Sequence, residues 1–283
     1  MAIDNISDTA RWVAVYRAME TARPDAIFRD PFADRLAGER GHRILDEMPQ
    51  GRAYAWPMIV RTAVFDEIIL DAVQRRQADL VVNLAAGLDA RPWRLPLPPS
   101  LHWVDVDLPG ILNYKTEMLR DEKPACHYEA VTVDLTEAPE RQALFARLGA
   151  GSSRALVVTE GLLIYLTPAQ VAALATDLHA QPAFQEWLID LASPQLLQRM
   201  SRTWGKQLEA SGSPFRFAPA EGAEFFRPYG WREALFRSTW EEAGRLKRTM
   251  KGAWLWNLIG RLAPPRVREG FRRFSGYVLL ARE

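Results

Sequence analysis

The stretch Val81-Val82-Asn83-Leu84-Ala85-Ala86-Gly87-Leu88-Asp89-Ala90-Arg91 decides how the chain is read. A short apolar run bounded by a glycine turn has the signature of a buried strand. Ala85-Ala86-Gly87 gives a turn with almost no side chain, so another group can approach the backbone closely. Asp89 and Arg91 follow where polar groups face the crevice at the strand's carboxyl end, which is where open α/β sheets bind ligands. Alone, such a turn would suit any tight strand-to-helix connection. It is not the G-x-G-x-x-G dinucleotide fingerprint, because positions 85 to 90 hold one glycine. The next apolar run, Leu101-His-Trp-Val-Asp-Val-Asp107, ends in an acid about 20 residues on, the usual distance for a group that binds ribose hydroxyls.

Downstream, strands alternate with helices. Strands are expected over 79–85, 101–107, 128–133, 154–159 and 184–191, with a last one over 274–281. Helices are expected from Pro109 to about 122, over 139–148, from the Thr167-Pro168 cap to about 180, and over 194–210. This alternation predicts a doubly wound, mostly parallel α/β sheet with helices on both faces. Residues 211–230, rich in proline, glycine and phenylalanine, are expected to form an irregular segment or lid whose Phe215, Phe217, Phe225 and Phe226 seek burial. Trp231 to Gly244 has helical spacing.

Upstream, three helices are expected. The first covers 7–23, with Ser7 or Asp8 as its cap, Trp12, Val15, Tyr16 and Met19 on one face, and Pro24 as its stop. The second covers about 33–48 and breaks at Pro49-Gln50-Gly51. The third runs over about 53–76 and carries Arg61 among apolar neighbours. That arginine either snorkels to solvent or offers its planar fork to a ligand carboxylate. The whole reads as one domain over 1–283: a helical cover (1–78), a core (79–193), a lid and acceptor-pocket region (194–270) and a last strand (271–283).

Composition narrows the function. At 48% hydrophobic and 25% charged residues the chain is ordinary for a globular protein, and a net charge of +1 gives no electrostatic case for nucleic acid or membrane. One cysteine, Cys126, and four scattered histidines leave no metal-ligand spacing, so no metal is expected. No apolar run approaches a membrane span and the first residues do not form a signal peptide, so a cytoplasmic location is expected. Ten tryptophans are many, and the late ones (Trp231, Trp240, Trp254, Trp256) suit either core packing or an apolar lid.

Three strands end in an acid: Asp107, Asp134 and Glu160. Each by itself could cap the next helix. Together, on one sheet, they converge on one crevice. That set suits a ligand with sugar hydroxyls, an adenine amino group and a positive charge, and suits phosphates poorly. There is no G-x-x-x-x-G-K-[ST] loop. S-adenosylmethionine, with a ribose diol, adenine, sulfonium and amino acid end, fits better than a dinucleotide or ATP.

The motifs Asn83-Leu-Ala-Ala-Gly-Leu-Asp-Ala-Arg91, Trp103-Val-Asp-Val-Asp-Leu-Pro109, Lys115, Asp134-Leu135 and Glu160-Gly-Leu-Leu-Ile-Tyr-Leu-Thr-Pro168 resemble the leucine carboxyl methyltransferase-like family. Ser7-Asp-Thr-Ala10, Arg17-Ala-Met-Glu20 and Arg29-Asp-Pro-Phe32 are similar to its bacterial branch, the S-adenosylmethionine-dependent O-methyltransferases of the polyketide carboxyl methyltransferase type. The resemblance covers about residues 5–190. It implies a seven-stranded class I methyltransferase-like sheet with N-terminal helices and an aromatic lid insertion. It further implies that Arg61 pairs with the cofactor's methionine carboxylate and that Ala85, Ala86 and Gly87 line its amino acid end. Asp107 would accept from the ribose, Asp134 and Leu135 would hold the adenine, Glu160 would lie near the amino end or sulfonium, and Tyr165 near the transferred methyl. Ala85 stands where many methyltransferases have a glycine, and Arg91 would brace the turn.

Methyl transfer is an in-line displacement that needs alignment and exclusion of water. A carboxylate acceptor is ionised at neutral pH and needs no base, whereas a phenol near pKa 10 benefits from one. None of the four histidines falls at a predicted strand tip, which favours a carboxylate on a small-molecule metabolite. Aromatic and apolar residues such as Phe215, Phe217, Trp254 and Trp256 would suit a flat or greasy acceptor. The rival readings are phenol O-methylation, a nicotinamide-dependent oxidoreductase, and a non-catalytic binder of the cofactor or a metabolite.

Overall fold

Short β-branched and leucine-rich runs, each followed by a turn and an amphipathic helix, build the sheet. In the computed structural model, which describes residues 6–48, 51–210, 214–250, 252–254 and 264–283, five parallel strands come first along the chain. They are β1 (Leu80–Leu84), β2 (His102–Asp107), β3 (His127–Thr132), β4 (Ala155–Thr159) and β5 (Phe184–Ala192). Two antiparallel strands, β6 (Trp231–Ser238) and β7 (Ser275–Arg282), complete a seven-stranded sheet in the order β3-β2-β1-β4-β5-β7-β6. The order reverses between β1 and β4, so the crevice of a doubly wound sheet opens over their carboxyl ends.

Alternation along each strand divides the core into two layers. Leu80, Val82 and Leu84 of β1 pack with α6 (Ala138–Ala150) and α7 (Pro168–His179), while Val81 faces α3 (Ala55–Gln74). Tyr277 and Leu279 of β7 join the α3 layer, and Val278 and Leu280 the other. Thr167 accepts from the backbone N–H of Gln170 at 3.3 Å, and the Gln170 side chain accepts from the backbone of Thr167 at 2.8 Å. This capping box starts α7 where the Thr-Pro pair predicts.

A third cluster sits above the crevice. It joins α1 (Ile6–Thr21) and α2 (Ala33–Glu47), through Val15, Tyr16, Leu36 and Ile44, to Leu88 and Ala90 of the β1 turn and Ile111 of α5 (Pro109–Met118). Ser7 and Asp8 lie inside the first turn of α1 and not at its cap, and the Asp8 carboxylate pairs with Arg40. Pro49, Gln50 and Trp256 lie outside the described residues. No described helix is long and apolar enough to cross a membrane.

The stretch Trp231–Gly244 corrects the expectation of one helix: it is strand β6 followed by a short helix, Thr239–Arg245. Pairing with β7 shifts register between Glu233 and Leu235. That irregularity breaks the two-residue alternation and leaves Trp231, Leu235 and Phe236 at helix-like spacing. The proline-rich segment before it turns its aromatics inward: Phe226 is fully buried and Phe217 nearly so. Phe217, Phe225 and Phe226 stack edge-to-face on one another, and Phe226 on Trp187 of β5.

Candidate active site

The turn after β1 is the floor of the site. Ala85 and Gly87 both take left-handed φ angles, +54° and +52°. For alanine this is strained, whereas glycine adopts it freely. The turn is pinned from both sides. The Gly87 N–H donates to Oδ2 of Asp107 at 2.6 Å, and Arg17 of α1 donates to the Leu88 carbonyl at 2.6 Å. A Cβ on Gly87 would lie 3.1 Å from the Ala10 methyl, so α1 closes over the turn.

Asp107 ends β2, and its Oδ1 accepts from the Leu108 N–H at 2.7 Å. Burial pushes its carboxyl above the usual range, against the two N–H donors and Lys115, which pull it down. Each oxygen keeps a lone pair for a further donor. Asp134 follows β3 and is exposed; its Oδ1 accepts from the backbone and hydroxyl of Thr136 at 2.9 and 2.7 Å. Leu135 beside it is half-buried.

Glu160, just after β4, is bridged by two arginines. Arg61 Nε lies 3.0 Å from Oε1, and Arg91 Nη1 lies 2.8 Å from Oε2. Burial would raise its carboxyl, but Arg91 and Arg61 outweigh that and hold it below its ordinary value. Arg61 is therefore not solvated: its side chain is 11% exposed, and Nη1 also reaches Oδ2 of Asp190 at 3.1 Å.

Arg91 starts the short helix α4 (Arg91–Arg94) and is buried under the turn, on Asp66 at 2.6 Å and Asp89 at 2.7 Å. Asp89 is held down to about 2: burial opposes its charge, but Arg91, Arg94 and Lys115 prevail. Asn83 donates to Asp89 at 3.1 Å and to Asp105 at 2.9 Å, and Asp105 pairs with fully buried Lys115 at 2.7 Å. The family-like Lys115 thus braces β2 from beneath.

Ala85, Ala86, Gly87, Arg61, Asp107, Asp134, Leu135, Glu160 and Tyr165 all line one cavity of ≈ 1970 Å³. A single small-ligand pocket usually occupies roughly 300–1,000 Å³, so there is space for two molecules side by side. Tyr165 lies in a 3-10 turn (Leu163–Tyr165), its ring 5.6 Å from that of Phe215. Burial is the main reason its hydroxyl is pushed up to about 12. Phe215 and Phe217 line the cavity too, but Trp254 does not: it is 71% exposed, which removes it from the expected acceptor pocket.

Sequence reasoning did not single out Asp190, Asp66 or Arg94. Asp190 lies two residues before the end of β5, so no strand end marked it, although it is a fourth carboxylate beside the crevice. Asp66 is an acid buried in the apolar helix α3, paired with Arg94 at 2.7 Å. A charge amid that apolar run was the available signal.

The family model of leucine carboxyl methyltransferase matches residues 10–179, more than half of the chain. The chain belongs to the leucine carboxyl methyltransferase family. A relative from Mycolicibacterium smegmatis, provisionally named as an S-adenosyl-L-methionine-dependent methyltransferase, is 33% identical over 195 residues. That alignment takes in 62% of this chain and 63% of the relative's length, so the match spans less than two thirds of either protein. Another with the same kind of name, from a Mycobacterium species (strain JLS), is 31% identical over 272 residues, 83% of this chain and 87% of the relative. Among solved structures, a provisionally named methyltransferase from Thermobifida fusca superposes with a TM-score of 0.62, covering 100% of this chain and 96% of that one. At 13% identity that likeness speaks for the fold of this family member.

The donor set fits S-adenosylmethionine. Asp107 offers acceptors for a ribose diol, and the small turn Ala85–Gly87 admits a close backbone approach. Along the cavity Arg61, Arg91 and Arg94 are matched by Glu160, Asp190 and Asp89, and Asp66 behind the wall also holds Arg91 and Arg94.

Proposed function

We propose that this protein transfers a methyl group from S-adenosylmethionine to a carboxylate of a small-molecule metabolite, forming a methyl ester. Arg61 would meet the cofactor's carboxylate, Ala85, Ala86 and Gly87 its amino acid end, Asp107 the ribose, Asp134 and Leu135 the adenine, and Glu160 the amino group or the sulfonium. When bound, the cofactor supplies an electrophilic methyl on a positively charged sulfur. The chain's task is to orient that methyl, seat the acceptor in line with it and exclude water.

One observation carries the choice of acceptor: among the described residues no histidine, the side chain best matched to taking a proton near neutral pH, lines the cavity. None of His42, His102, His127 and His179 lines it. Tyr165 is pushed up to about 12, and Glu160 is tied to two arginines. A carboxylate needs no deprotonation, whereas a phenol would. The test is transfer of a radiolabelled methyl group from S-adenosylmethionine to a panel of aromatic and aliphatic acids and phenols. A methyl ester releases volatile labelled methanol in mild base, and a phenyl ether does not. Base-stable product on phenols alone would replace this reading with phenol methylation.

A further inference from the structure

Asp190 contributes both carboxylate oxygens to one small assembly. Its Oδ2 lies 3.1 Å from Nη1 of Arg61, and its Oδ1 accepts from the Gly161 N–H at 2.8 Å. Gly161 has a left-handed φ of +69°, and a Cβ there would lie 3.0 Å from Nη1 of Arg61. The loop after β4 is thus packed against the guanidinium, and Asp190 ties that loop, strand β5 and helix α3 together. Glu160 takes Nε of Arg61 at 3.0 Å. A planar guanidinium held at two of its nitrogens has little freedom to rotate, and its donors lie in a rigid fork. No described residue accepts a hydrogen bond from Nη2, and Arg61 lines the cavity.

We infer that Asp190 is a positioning residue for the cofactor: by fixing Nη1 of Arg61 it presents the remaining Nη2 edge to the carboxylate of S-adenosylmethionine. The inference rests on the proposed cofactor, and it adds a residue that acts through Arg61 without touching the ligand. Without the Asp190 charge the guanidinium is held by Glu160 alone and swings away from the ligand carboxylate. The effect falls on the amino acid end of the cofactor and spares its adenosine part.

The experiment compares binding of S-adenosylmethionine and of 5′-methylthioadenosine, which has the same nucleoside but lacks the amino acid end. Both are titrated calorimetrically into wild type and Asp190→Asn. Asparagine keeps an oxygen for the Gly161 N–H and removes the charge. The expected result is about a tenfold loss for S-adenosylmethionine and no more than about a twofold change for 5′-methylthioadenosine. In an Arg61→Gln background, Asp190→Asn is expected to have no further effect. If the asparagine variant does not fold, Asp190→Ser, which also keeps a short oxygen acceptor, is expected to show the same selective loss.

Equal loss for both ligands would make Asp190 a structural residue only. Unchanged or tighter S-adenosylmethionine binding would make it idle or a competitor for Arg61. Each of these overturns the inference and leaves the cofactor assignment standing. Wild type that binds neither ligand overturns the cofactor assignment, and this inference with it.

Discussion

Glu160 and Arg91 meet at 2.8 Å, 69 positions apart in sequence, and the same carboxylate holds Arg61 on its other oxygen at 3.0 Å. One acid after β4 thereby joins helix α3, through Arg61, to the short helix α4, through Arg91. Replacing Glu160 by glutamine leaves two largely buried guanidiniums facing a neutral group. Loss of one partner from a buried pair costs about 3–5 kcal/mol, and the low end applies because the Glu160 side chain is 16% exposed. Urea unfolding of Glu160→Gln is expected to show that loss together with weakened cofactor binding.

Asp105 and Lys115 form a pair with no exposure on either side chain. Asp105 also accepts from Asn83 and from the Trp103 indole at 2.8 Å. Lys115→Met keeps the length of the side chain but strands the carboxylate. The expected drop in unfolding free energy is about 3–5 kcal/mol, read from denaturant midpoints at constant slope. Asp105→Asn in the same background should recover part of it.

Ala85 is held at a φ of +54°. Relief of a left-handed alanine is worth roughly 1–2 kcal/mol, offset by roughly 0.5–1 kcal/mol of extra unfolded-chain entropy for glycine. Ala85→Gly is therefore expected to raise stability by about 0.5–1 kcal/mol and to leave cofactor affinity within about threefold. Thermal and denaturant unfolding check the first outcome and calorimetry the second.

Acid should act on binding before it acts on the fold. Asp89 is depressed from 3.8 to about 2, and Glu160 is depressed as well. Groups of this sign contribute stability that is present above their unfolded pKa and is lost as pH falls through the folded value. Asp107 is shifted the other way, upward by burial. Its protonation removes an acceptor from the proposed ribose contact while Asp89 and Glu160 still hold their arginines. Cofactor affinity is thus expected to fall on acidification while the circular dichroism of the fold is unchanged, with unfolding following between about pH 4 and pH 2. In Asp107→Asn the early loss of affinity with pH should vanish. Coincident loss of binding and fold in wild type would contradict this order.

The sequence carried the parallel core because β1, β4 and β5 are largely apolar runs that stop at a turn, and the acids at or just after the ends of β2, β3 and β4 stand in plain view. All nine residues expected at the site line one cavity: the Ala85–Gly87 turn, the three acids and Leu135 follow the strand ends, whereas Arg61 and Tyr165 were expected there through the family resemblance. What stayed hidden depends on contacts between distant elements. Asp190 sits inside a strand whose apolar run continues past it, so only the approach of Arg61, 129 positions away, gives it a role. Strand β6 imitates a helix because its register shift scrambles the alternation, and its partner β7 lies some forty residues further along. Trp254 shows the opposite error: a large aromatic near the lid invites a place in the pocket, yet its ring faces solvent.

The most direct measurement is calorimetric titration of S-adenosylmethionine into wild type and into Asp107→Ala. Saturable binding at one site per chain in wild type, weakened at least about tenfold in the variant, is the predicted result. A well-folded wild type that gives no binding heat at any temperature tried would contradict the methyltransferase assignment and return the acids at the strand ends to turn and cap duties.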